Sequence, residues 1–445
     1  MPGLGYVSLG KLNLQSDTYS FDESVCGMLF DTSMYSDLFD DYMVLESYFG
    51  NNQVCLVHNL VEIEDMGLSD EFMNGVPYYH IKQFYDYVGA DADLYVMFAS
   101  CISNGKPDFE AIQDIQRAAN GRIFQLGIWT EQCIWKSRQD EYYWQFDQEE
   151  YGFTGLIGEI EGQAETLAGV INRTNSEGLP LSVILNACTT KLDDYDNRYV
   201  VDHKKLPNAL SLNCPKVSVI LGQNGSEEVH AMQGDNHNNT PVGLMGLALA
   251  CLCLAPAEMN IGYVDKFNLN KNDVILSPEL GFGDIDADNY NPLDDLSVFR
   301  RNTLSVKGYI LPTTYKSKEA GVYFSNDQTL SERDFSSISL NRIAHKCRRI
   351  IRSVMFPYVN GSIDVDPATG TVIAIEQTKI INSIVERLDA NMVNPLGQAQ
   401  INGRYVAFDD TKNILATDGL DLACYVIPVD SNMTIDVRET YVLGE

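Results

Sequence analysis

Residues 341–359 read NRIAHKCRRIIRSVMFPYV and contain five Lys or Arg residues and no Asp or Glu, in a chain of 445 residues whose formal net charge is −31. At about 100° per residue, the segment divides into an apolar face and a basic face of one helix. The apolar face consists of Ile343, Cys347, Ile350, Ile351 and Val354. The basic face consists of Arg342, Lys346 and Arg349, with His345, Arg348 and Arg352 beside them. This pattern predicts a helix that packs on its own domain and presents a positive ridge to an acidic protein surface.

The rest of the chain is unevenly charged. Residues 1–300 hold 16 Lys/Arg against 45 Asp/Glu, a net charge of −29, whereas residues 301–445 hold 15 against 17, a net charge of −2. Nucleic-acid binding requires a broad basic surface that neutralises phosphates, so this composition disfavours it. The asymmetry indicates an outer part that faces solvent and an inner part that faces a partner. An acidic surface that only keeps the protein soluble also accounts for residues 1–300, but not for the basic segment.

Cysteine usage and the apolar runs indicate a cytosolic chain. The ten cysteines are scattered, mostly in apolar runs, and none has the spacing of a metal site. They are typical of buried thiols in a reducing compartment. The N-terminus lacks the basic-then-apolar layout of a secretory signal. The longest apolar run, at positions 242–255, is about 14 residues and too short to cross a bilayer, so we expect no membrane insertion.

The fold class is predicted from the alternation of apolar strands and amphipathic helices between about residues 40 and 300. The predicted strands lie near 53–58, 94–99, 123–129, 181–186 and 216–221, and the predicted helices near 79–88, 108–119, 156–172 and 241–254. This order predicts an α/β domain with a mostly parallel sheet covered on both faces. The helix at 241–254 is apolar almost all round, which indicates burial between the sheet and a neighbouring element.

The last third has a different order, which predicts an α+β C-terminal domain. Strands are expected near 305–310 and 321–324, followed by the basic helix, a turn at 366–370, a helix near 376–391, and strands at 404–408 and 421–428. The division that follows is an N-terminal arm (1–20), an α/β domain (21–300), the C-terminal domain (301–432) and a C-terminal arm (433–445).

Both termini alternate in the manner of extended β-strands. The N-terminal arm has Tyr6, Val7 and Leu9, and the C-terminal arm has Met433, Ile435 and Val437. Such segments cannot bury their own faces, and they pair readily with the sheet of another subunit. Ordinary edge strands within one subunit are the alternative that the pattern leaves open.

No stretch of the sequence predicts an active site or a cofactor. The acidic loop 284–295 resembles a calcium loop, but it lacks the required Gly at its sixth position, and a solvated loop is favoured. The GQNG stretch at 222–225 follows a strand but lacks the spacing and Lys of a phosphate loop, which favours a plain turn. Neither His230 nor His237 has an Asp or Glu at the i+4 spacing of a helix. We therefore expect neither catalysis nor a bound metal.

Taken together, these segments resemble the contractile-tail sheath family of phages and related injection particles. The similarity is strongest over residues 305–443, in the order GYILPTTYKSKEAGVYFSNDQTL, NRIAHKCRRIIRSVMFPYVNG, the DPATG turn, a helix, and NILATDGLDLACYVIPV before an alternating tail. The middle region has a weaker similarity to the family, in the stretch GLALACLCLAPAEMNIGYVDKFNL. The outer domain has no counterpart that we can align.

The resemblance implies a structural subunit without enzymatic activity or cofactor. Family members form a helical sleeve around an inner tube, exchange terminal strands with neighbours, and contract to drive the tube through a target envelope. The partners implied are further copies of the chain, the inner tube protein, and baseplate and tail terminator proteins. The location implied is a virion tail sheath or an injection particle, assembled in the host bacterial cytoplasm.

A helix of the C-terminal domain faces the tube in this family, and the best candidate on electrostatic grounds is the basic helix. The expected tube-facing residues are Arg342, Lys346, Arg349 and Arg352. Two alternatives remain open: another structural component of the same particle, such as a baseplate or cap protein, and an α/β enzyme of unknown activity.

Overall fold

The structure is a computed structural model of the chain, and the part of the chain that it describes is discontinuous. The described residues are 5–8, 21–33, 39–103, 106–130, 154–187, 190–192, 198–200, 208–233, 242–270, 281–282, 291–292, 303–315, 321–333, 335–358, 362–393, 398–408, 413 and 422–429.

The helices alternate with the strands along the chain. The helices are α1 (Met43–Phe49), α2 (Leu60–Asp65), α3 (Val76–Val88), α4 (Ala111–Ala118), α5 (Thr154–Ser176), α6 (Glu227–Gln233), α7 (Met245–Leu254), α8 (Ile338–Met355) and α9 (Ala374–Leu388). Short 3-10 segments lie at Gly50–Asn52, Phe72–Gly75, Ala209–Leu212 and Phe356–Tyr358, and a π-helical turn at Asp389–Val393 follows α9.

The strands belong to one large sheet and several small ones. In the large sheet lie β2 (Cys26–Asp31), β3 (Val54–Val57), β4 (Leu94–Ala99), β7 (Gln125–Trp129), β8 (Ser182–Ala187), β11 (Val217–Leu221) and β14 (Tyr309–Ile310). A three-stranded sheet consists of β1 (Gly5–Ser8), β17 (Ile401–Phe408) and β18 (Leu422–Pro428). Two-stranded pairs are β5 (Ile102–Ser103) with β6 (Lys106–Pro107), β9 (Thr190–Leu192) with β10 (Arg198–Val200), β12 (Gly281–Phe282) with β13 (Asn291–Pro292), and β15 (Pro312–Thr313) with β16 (Tyr323–Phe324).

The large sheet confirms the predicted mostly parallel α/β domain. Its order is β14-β11-β8-β7-β2-β4-β3, and every neighbouring pair is parallel except β3 with β4 at one edge. Strands β2, β4, β7, β8 and β11 are buried along their whole length, as expected for a parallel sheet covered on both faces. The interior strand β2, between β7 and β4, is not among the predicted strands.

Helix α7 is the buried apolar helix that the sequence predicts. It packs against α3 and β7, and all of its residues except Leu254 are buried. Gly246 permits this packing, because a Cβ atom at that position would lie 2.3 Å from the carbonyl oxygen of His80. The helix begins at Met245, four residues after the predicted start. Among the described residues, no helix is both long and apolar enough to cross a membrane.

A second core forms where α8 and α9 pack on β17 and β18. The apolar face predicted for the basic segment lies here, with Ile343, Cys347, Ile350 and Ile351 buried. They meet residues of α9, the π-helical turn and the small sheet, namely Ile380, Ile384, Leu388, Met392, Val406, Cys424 and Val426. The predicted turn at 366–370 is present, and Gly370 adopts a φ of 70° there. We refer to α8, α9, β17 and β18 as the C-terminal unit.

One predicted strand is much shorter than expected. The sequence predicts a strand at 305–310, but only Tyr309–Ile310 pairs in the sheet, because residues 303–306 form a helical turn. The predicted strand at 321–324 is likewise reduced to Tyr323–Phe324. The boundaries of the other predicted helices and strands agree with the structure to within a few residues.

Candidate functional site

The basic face of α8 lies inside the molecule, which corrects the expectation of an exposed positive ridge. Arg342 is 0% exposed, Lys346 7%, Arg349 2% and Arg352 4%. These four side chains therefore do not face a tube or any other external surface. Helix α8 lies between the core of the C-terminal unit and the N-terminal ends of β2, β7, β8 and β11, and its cations bind polar groups at that edge.

Arg342 binds the C-terminal end of α7. Its guanidinium donates to the carbonyl oxygens of Leu252 (2.9 Å) and Ala255 (2.8 Å), and also to that of Glu23 (2.9 Å) before β2. The last carbonyls of a helix have no partner within the helix and carry a partial negative charge. A buried guanidinium satisfies both requirements at once, so Arg342 joins α8 to α7 and to β2.

Arg349 binds the segments that lead into β7 and β8. Its guanidinium donates to the carbonyl oxygens of Ile123 (2.7 Å) and Pro180 (2.8 Å), and its Cζ lies 3.6 Å from the centre of the Phe124 ring. A guanidinium over an aromatic face gains a cation–π attraction, which is larger when water is excluded. Burial lowers the pKa of Arg349 to about 9, so the group remains charged at pH 7.

Arg352 and His345 complete the contacts with the sheet edge. Arg352 donates to the carbonyl oxygen of Glu177 (2.9 Å), just beyond the end of α5. Gly178 provides the space, because a Cβ there would lie 0.8 Å from Nη1 of Arg352. His345 Nε2 lies 2.9 Å from Oγ of Ser182 at the start of β8. Burial, followed by the charge of Arg348, lowers the pKa of His345 well below its usual range, so the imidazole is neutral.

Lys346 takes part in a buried polar cluster that joins four parts of the chain. Its Nζ lies 2.5 Å from Oε2 of Glu23, and Oε1 of the same carboxylate accepts from Nε2 of Gln400 (2.7 Å) and from the backbone N–H of Ala257 (3.2 Å). The segment before β2, the loop after α7, α8 and the start of β17 therefore share one carboxylate. Glu258 lies at the same junction and is 7% exposed.

The contacts of α8 give the physical reason why its basic face is internal. In a doubly wound sheet, the C-terminal ends of the helices and the backbone carbonyls before the strands gather at the N-terminal edge of the sheet, where they need donors. The sequence shows five cations on one segment without acidic partners, and that pattern fits an internal carbonyl-binding helix as well as an external ridge. The signal that favours the internal alternative is the interleaving of Asn341 and His345 on the basic face, because both are neutral side chains suited to buried hydrogen bonds.

The N-terminal arm pairs with the C-terminal unit of its own chain in this structure. Strand β1 lies antiparallel to β18, with Gly5 opposite Val426, Val7 opposite Cys424 and Ser8 opposite Ala423. This pairing places the backbone of Tyr6 and Val7 at the edge of the small sheet. The other predicted arm residues, Leu9, Met433, Ile435 and Val437, lie outside the described residues.

The remaining candidates from the sequence gather no catalytic or metal-binding constellation in the part of the chain described. The acidic loop 284–295 lies outside that part except for its two residues in β13, and so does His237. Within it, no group of three or more His, Cys, Asp or Glu side chains is placed to hold a metal ion. A groove of about 440 Å³ lies between α5 and the segment that leads into α4, where Glu110 and Arg173 form an exposed ion pair.

Two exposed surfaces of the C-terminal unit are available to partners. The outer face of α9 is exposed at Ala374, Ile375, Thr378, Lys379 and Asn382. The face of the small sheet that points away from α9 exposes Tyr405 (63%) and Ile427 (48%). Both surfaces are close to neutral, in contrast to the acidic first two-thirds of the chain.

Comparisons with known proteins identify the fold. No protein-family model matches the chain, and no curated protein matches its sequence. Two solved structures are similar over nearly their full length. The helical sheath of the anti-feeding prophage in its contracted state has a TM-score of 0.55 at 10% identity, with 96% of this chain and 95% of that chain covered. The sheath complex of the extracellular contractile injection system PVC, also contracted, has a TM-score of 0.52 at 9% identity, with 100% and 98% covered. The chain has the fold of contractile sheath subunits, as the sequence resemblance predicted.

Proposed function

We propose that this chain is the subunit of a contractile sheath, which polymerises into a helical sleeve around an inner tube and shortens to drive that tube through a target envelope. The observation that carries the proposal is the extent of the fold likeness. It covers at least 95% of this chain and of each of two sheath subunits, so it includes both the large parallel sheet and the C-terminal unit. On this proposal the chain is structural and has no enzymatic activity or cofactor.

The small sheet supplies the means of polymerisation. Strand β18 lies between β17 and β1, so its edge accepts an N-terminal strand. In a sheath, the same edge is filled by β1 of a neighbouring copy, which is a strand exchange of the domain-swapping kind. Head-to-tail contacts of this type that do not close into a ring generate a helical polymer. The C-terminal arm, residues 433–445, is proposed to act in the same way.

The internal position of α8 supports contraction by rigid subunits. Arg342, Lys346 and Arg349 bind backbone carbonyls and a carboxylate of the large sheet domain, and all three are buried. Removing one partner of a buried charge costs about 3–5 kcal/mol, so α8 does not leave the sheet edge easily. The large sheet and the C-terminal unit therefore move together, and the rotation between subunits is absorbed by the arms.

A helical sleeve of this kind implies further protein partners. The inner tube occupies its bore, baseplate and terminator proteins meet its two ends, and no direct contact with nucleic acid or insertion into a membrane is proposed. The sleeve belongs to a phage tail or an injection particle and is assembled in the cytoplasm of the producing bacterium. The tube-facing surface is proposed to be the outer face of α9, because α8, the other helix of the C-terminal unit, is internal.

The function is tested by the purified full-length chain alone. Negative-stain electron microscopy at increasing protein concentration and ionic strength is expected to show hollow helical tubes of uniform diameter. A cap or baseplate component is instead expected to form closed rings of a few copies. A chain that remains monomeric at all concentrations would contradict the sheath function.

A further inference from the structure

One cation of α8, Arg348, differs from the others in its contacts with the described residues. Asn341, His345 and Arg352 lie along one flank of α8, at spacings of four and seven residues, and each bonds to the large sheet domain. Arg348 lies on the same flank, between His345 and Arg352, and is half-buried. Among the described residues it forms no hydrogen bond or ion pair. Its guanidinium therefore differs from those of Arg342, Arg349 and Arg352, which all bind carbonyls.

A second cation lies beside Arg348. Lys216 is half-buried in the turn before β11, where its carbonyl oxygen accepts from the N–H of Val183 (2.9 Å) and its Nζ donates to Oδ1 of Asn172 (2.8 Å). Burial and then the nearby charge of Arg348 lower the pKa of Lys216 to about 8. The fold brings the three groups together, because His345 contacts Ser182, Lys216 bonds to the next residue Val183, and Arg348 lies one turn after His345 on α8. No carboxylate of the described residues forms an ion pair with either cation.

This arrangement favours an oxyanion as a partner of the two cations. Two positive charges that lie side by side and are partly removed from water repel each other, which raises the free energy of keeping both groups charged. An anion bound between them offsets this cost. A carboxylate suits the site because guanidinium binds it with two parallel hydrogen bonds, while the ammonium adds a compact point charge. Both residues are half-buried, and the hydrogen bond from Nζ of Lys216 to Asn172 is exposed, so the pair lies at the surface and not in the core.

The source of that carboxylate is another copy of the chain, if the proposed sheath function holds. Each subunit of a sleeve meets several neighbours, and residues 1–300 carry a net charge of −29. We propose that Arg348 and Lys216 together form a docking point for an Asp or Glu side chain of a neighbouring subunit. This ion pair would help to fix the relative position of two neighbouring subunits, which are otherwise joined by strand exchange.

Carbodiimide coupling tests the docking point directly, because it joins a Lys amine to a carboxylate only when the two are in contact. Tubes are assembled from an equal mixture of ¹⁴N and ¹⁵N chains, coupled, digested and analysed by mass spectrometry. The expected result is a peptide pair that joins Lys216 of one isotope to an Asp or Glu of the other. Lys216→Arg keeps the charge but lacks the amine, and is expected to assemble normally and lose the pair.

A second measurement keeps the test independent of the coupling chemistry. Arg348→Ala with Lys216→Ala is expected to raise the critical concentration for tube formation by about fivefold or more at low salt, and by less at high salt. Arg333→Ala with Lys266→Ala removes the same charge from exposed positions outside α8 and α9, and is expected to leave that concentration unchanged.

Each other outcome overturns the docking point. Coupling of Lys216 only within its own chain, protection of Lys216 by inorganic phosphate without interchain coupling, or normal assembly of the double variant would each do so. If wild-type tubes form and any of these is seen, the docking point is wrong and the sheath function stands. If no tubes form, the function fails first, and absence of interchain coupling in concentrated solution then rejects the docking point as well.

Discussion

At the scale of single residues, the most informative carboxyl is that of Glu258, because burial disfavours its charged form. Glu258 is buried where the loop after α7 meets α8 and β17, beside the side chain of Gln400 and the carboxylate of Glu23. Burial, together with the nearby carboxylate of Glu23, raises the pKa of Glu258 above its ordinary value of 4.5. An acid whose pKa is raised in the folded state binds its proton more tightly there than in the unfolded chain, so stability falls as pH rises through the folded-state pKa.

We therefore expect Glu258→Gln to stabilise the subunit at pH 8 and to have a smaller effect at pH 5. The amide keeps the shape of the protonated carboxyl and cannot acquire the charge that burial opposes. The measurement is the difference in melting temperature between variant and wild type at the two pH values. A difference that is the same at both, or larger at pH 5, would contradict the raised pKa.

Glu62 provides a control of opposite sign. Its carboxylate accepts from the backbone N–H of His58 (2.8 Å), and this bond holds the pKa of Glu62 below its ordinary value. A lowered pKa contributes stability above the unfolded-state value, and that contribution is lost in acid. Glu62→Gln is therefore expected to destabilise the subunit at pH 8 and to have less effect below pH 4. The opposite pH trends of the two variants separate proton linkage from general effects of the substitutions.

At the scale of elements, the sequence predicts what each helix buries better than what it contacts. The parallel sheet follows from fully apolar strands such as LYVMFA in β4, because such a run has no face left for solvent. The apolar face of α8 was also predicted correctly, since period and burial agree there. The sequence does not predict the interior strand β2, because CGMLFD is short and contains Gly27, whose missing Cβ leaves room for Leu126 and Ile123.

The basic face of α8 could not be placed from the sequence, because the partners of its cations are backbone carbonyls. Every residue has a backbone carbonyl, so the sequence does not show that the end of α7 or the segment before β7 binds Arg side chains. Charge pattern alone describes which groups need partners, and the topology determines where those partners are. The same limit applies to Lys216 and Arg348, which are far apart in the chain and neighbours only in the fold.

Because α8 is internal, α9 is the helix of the C-terminal unit that is proposed to face the tube. This assignment gives a prediction for its exposed face. Lys379 is 64% exposed on its outer face and its Nζ lies 3.3 Å from Oε1 of Glu376 one turn away, so Lys379→Glu is expected to leave the fold and tube formation intact. If this face lines the bore, the variant sleeve retains less inner tube at low salt. Each exposed ion pair contributes only about 0.2–1 kcal/mol, but the contact is repeated in every subunit.

The measurement is co-sedimentation of assembled sheath with inner tubes isolated from the same particles. Arg333→Glu makes the same charge change at an exposed position outside α9 and is expected to have no effect on retention. Equal retention by both variants and wild type would show that the outer face of α9 does not contact the tube.

At the scale of the whole molecule, the question is which copy supplies the strand beside β18. Within one chain, β1 occupies that edge through only four paired residues, and residues 9–20 connect it to the large sheet domain. A connection of this length allows the same strand to pair in its own subunit or in an adjacent one. Pairing within the subunit completes a free monomer, and pairing between subunits links a polymer without any new type of contact.

The register provides a direct test, because Val7 lies opposite the native Cys424. Residues directly opposite each other in an antiparallel pair have Cα atoms about 4.5–5.5 Å apart, which falls in the range of a disulfide. Val7→Cys is therefore expected to form a disulfide with Cys424 under mild oxidation, within one chain in free subunits and between chains in assembled tubes. Because every subunit donates one strand and accepts another, oxidised tubes should give a ladder of multimers on a non-reducing gel.

Ser8→Cys is the matched control, since it lies opposite Ala423 and has no thiol to meet. It is expected to give no ladder, although it adds a cysteine only one residue away. Tubes of Val7→Cys that yield monomers with an internal disulfide would show that each arm stays on its own subunit. The sleeve would then have to be held by surface contacts alone, and the β18 edge would be a structural feature of the monomer.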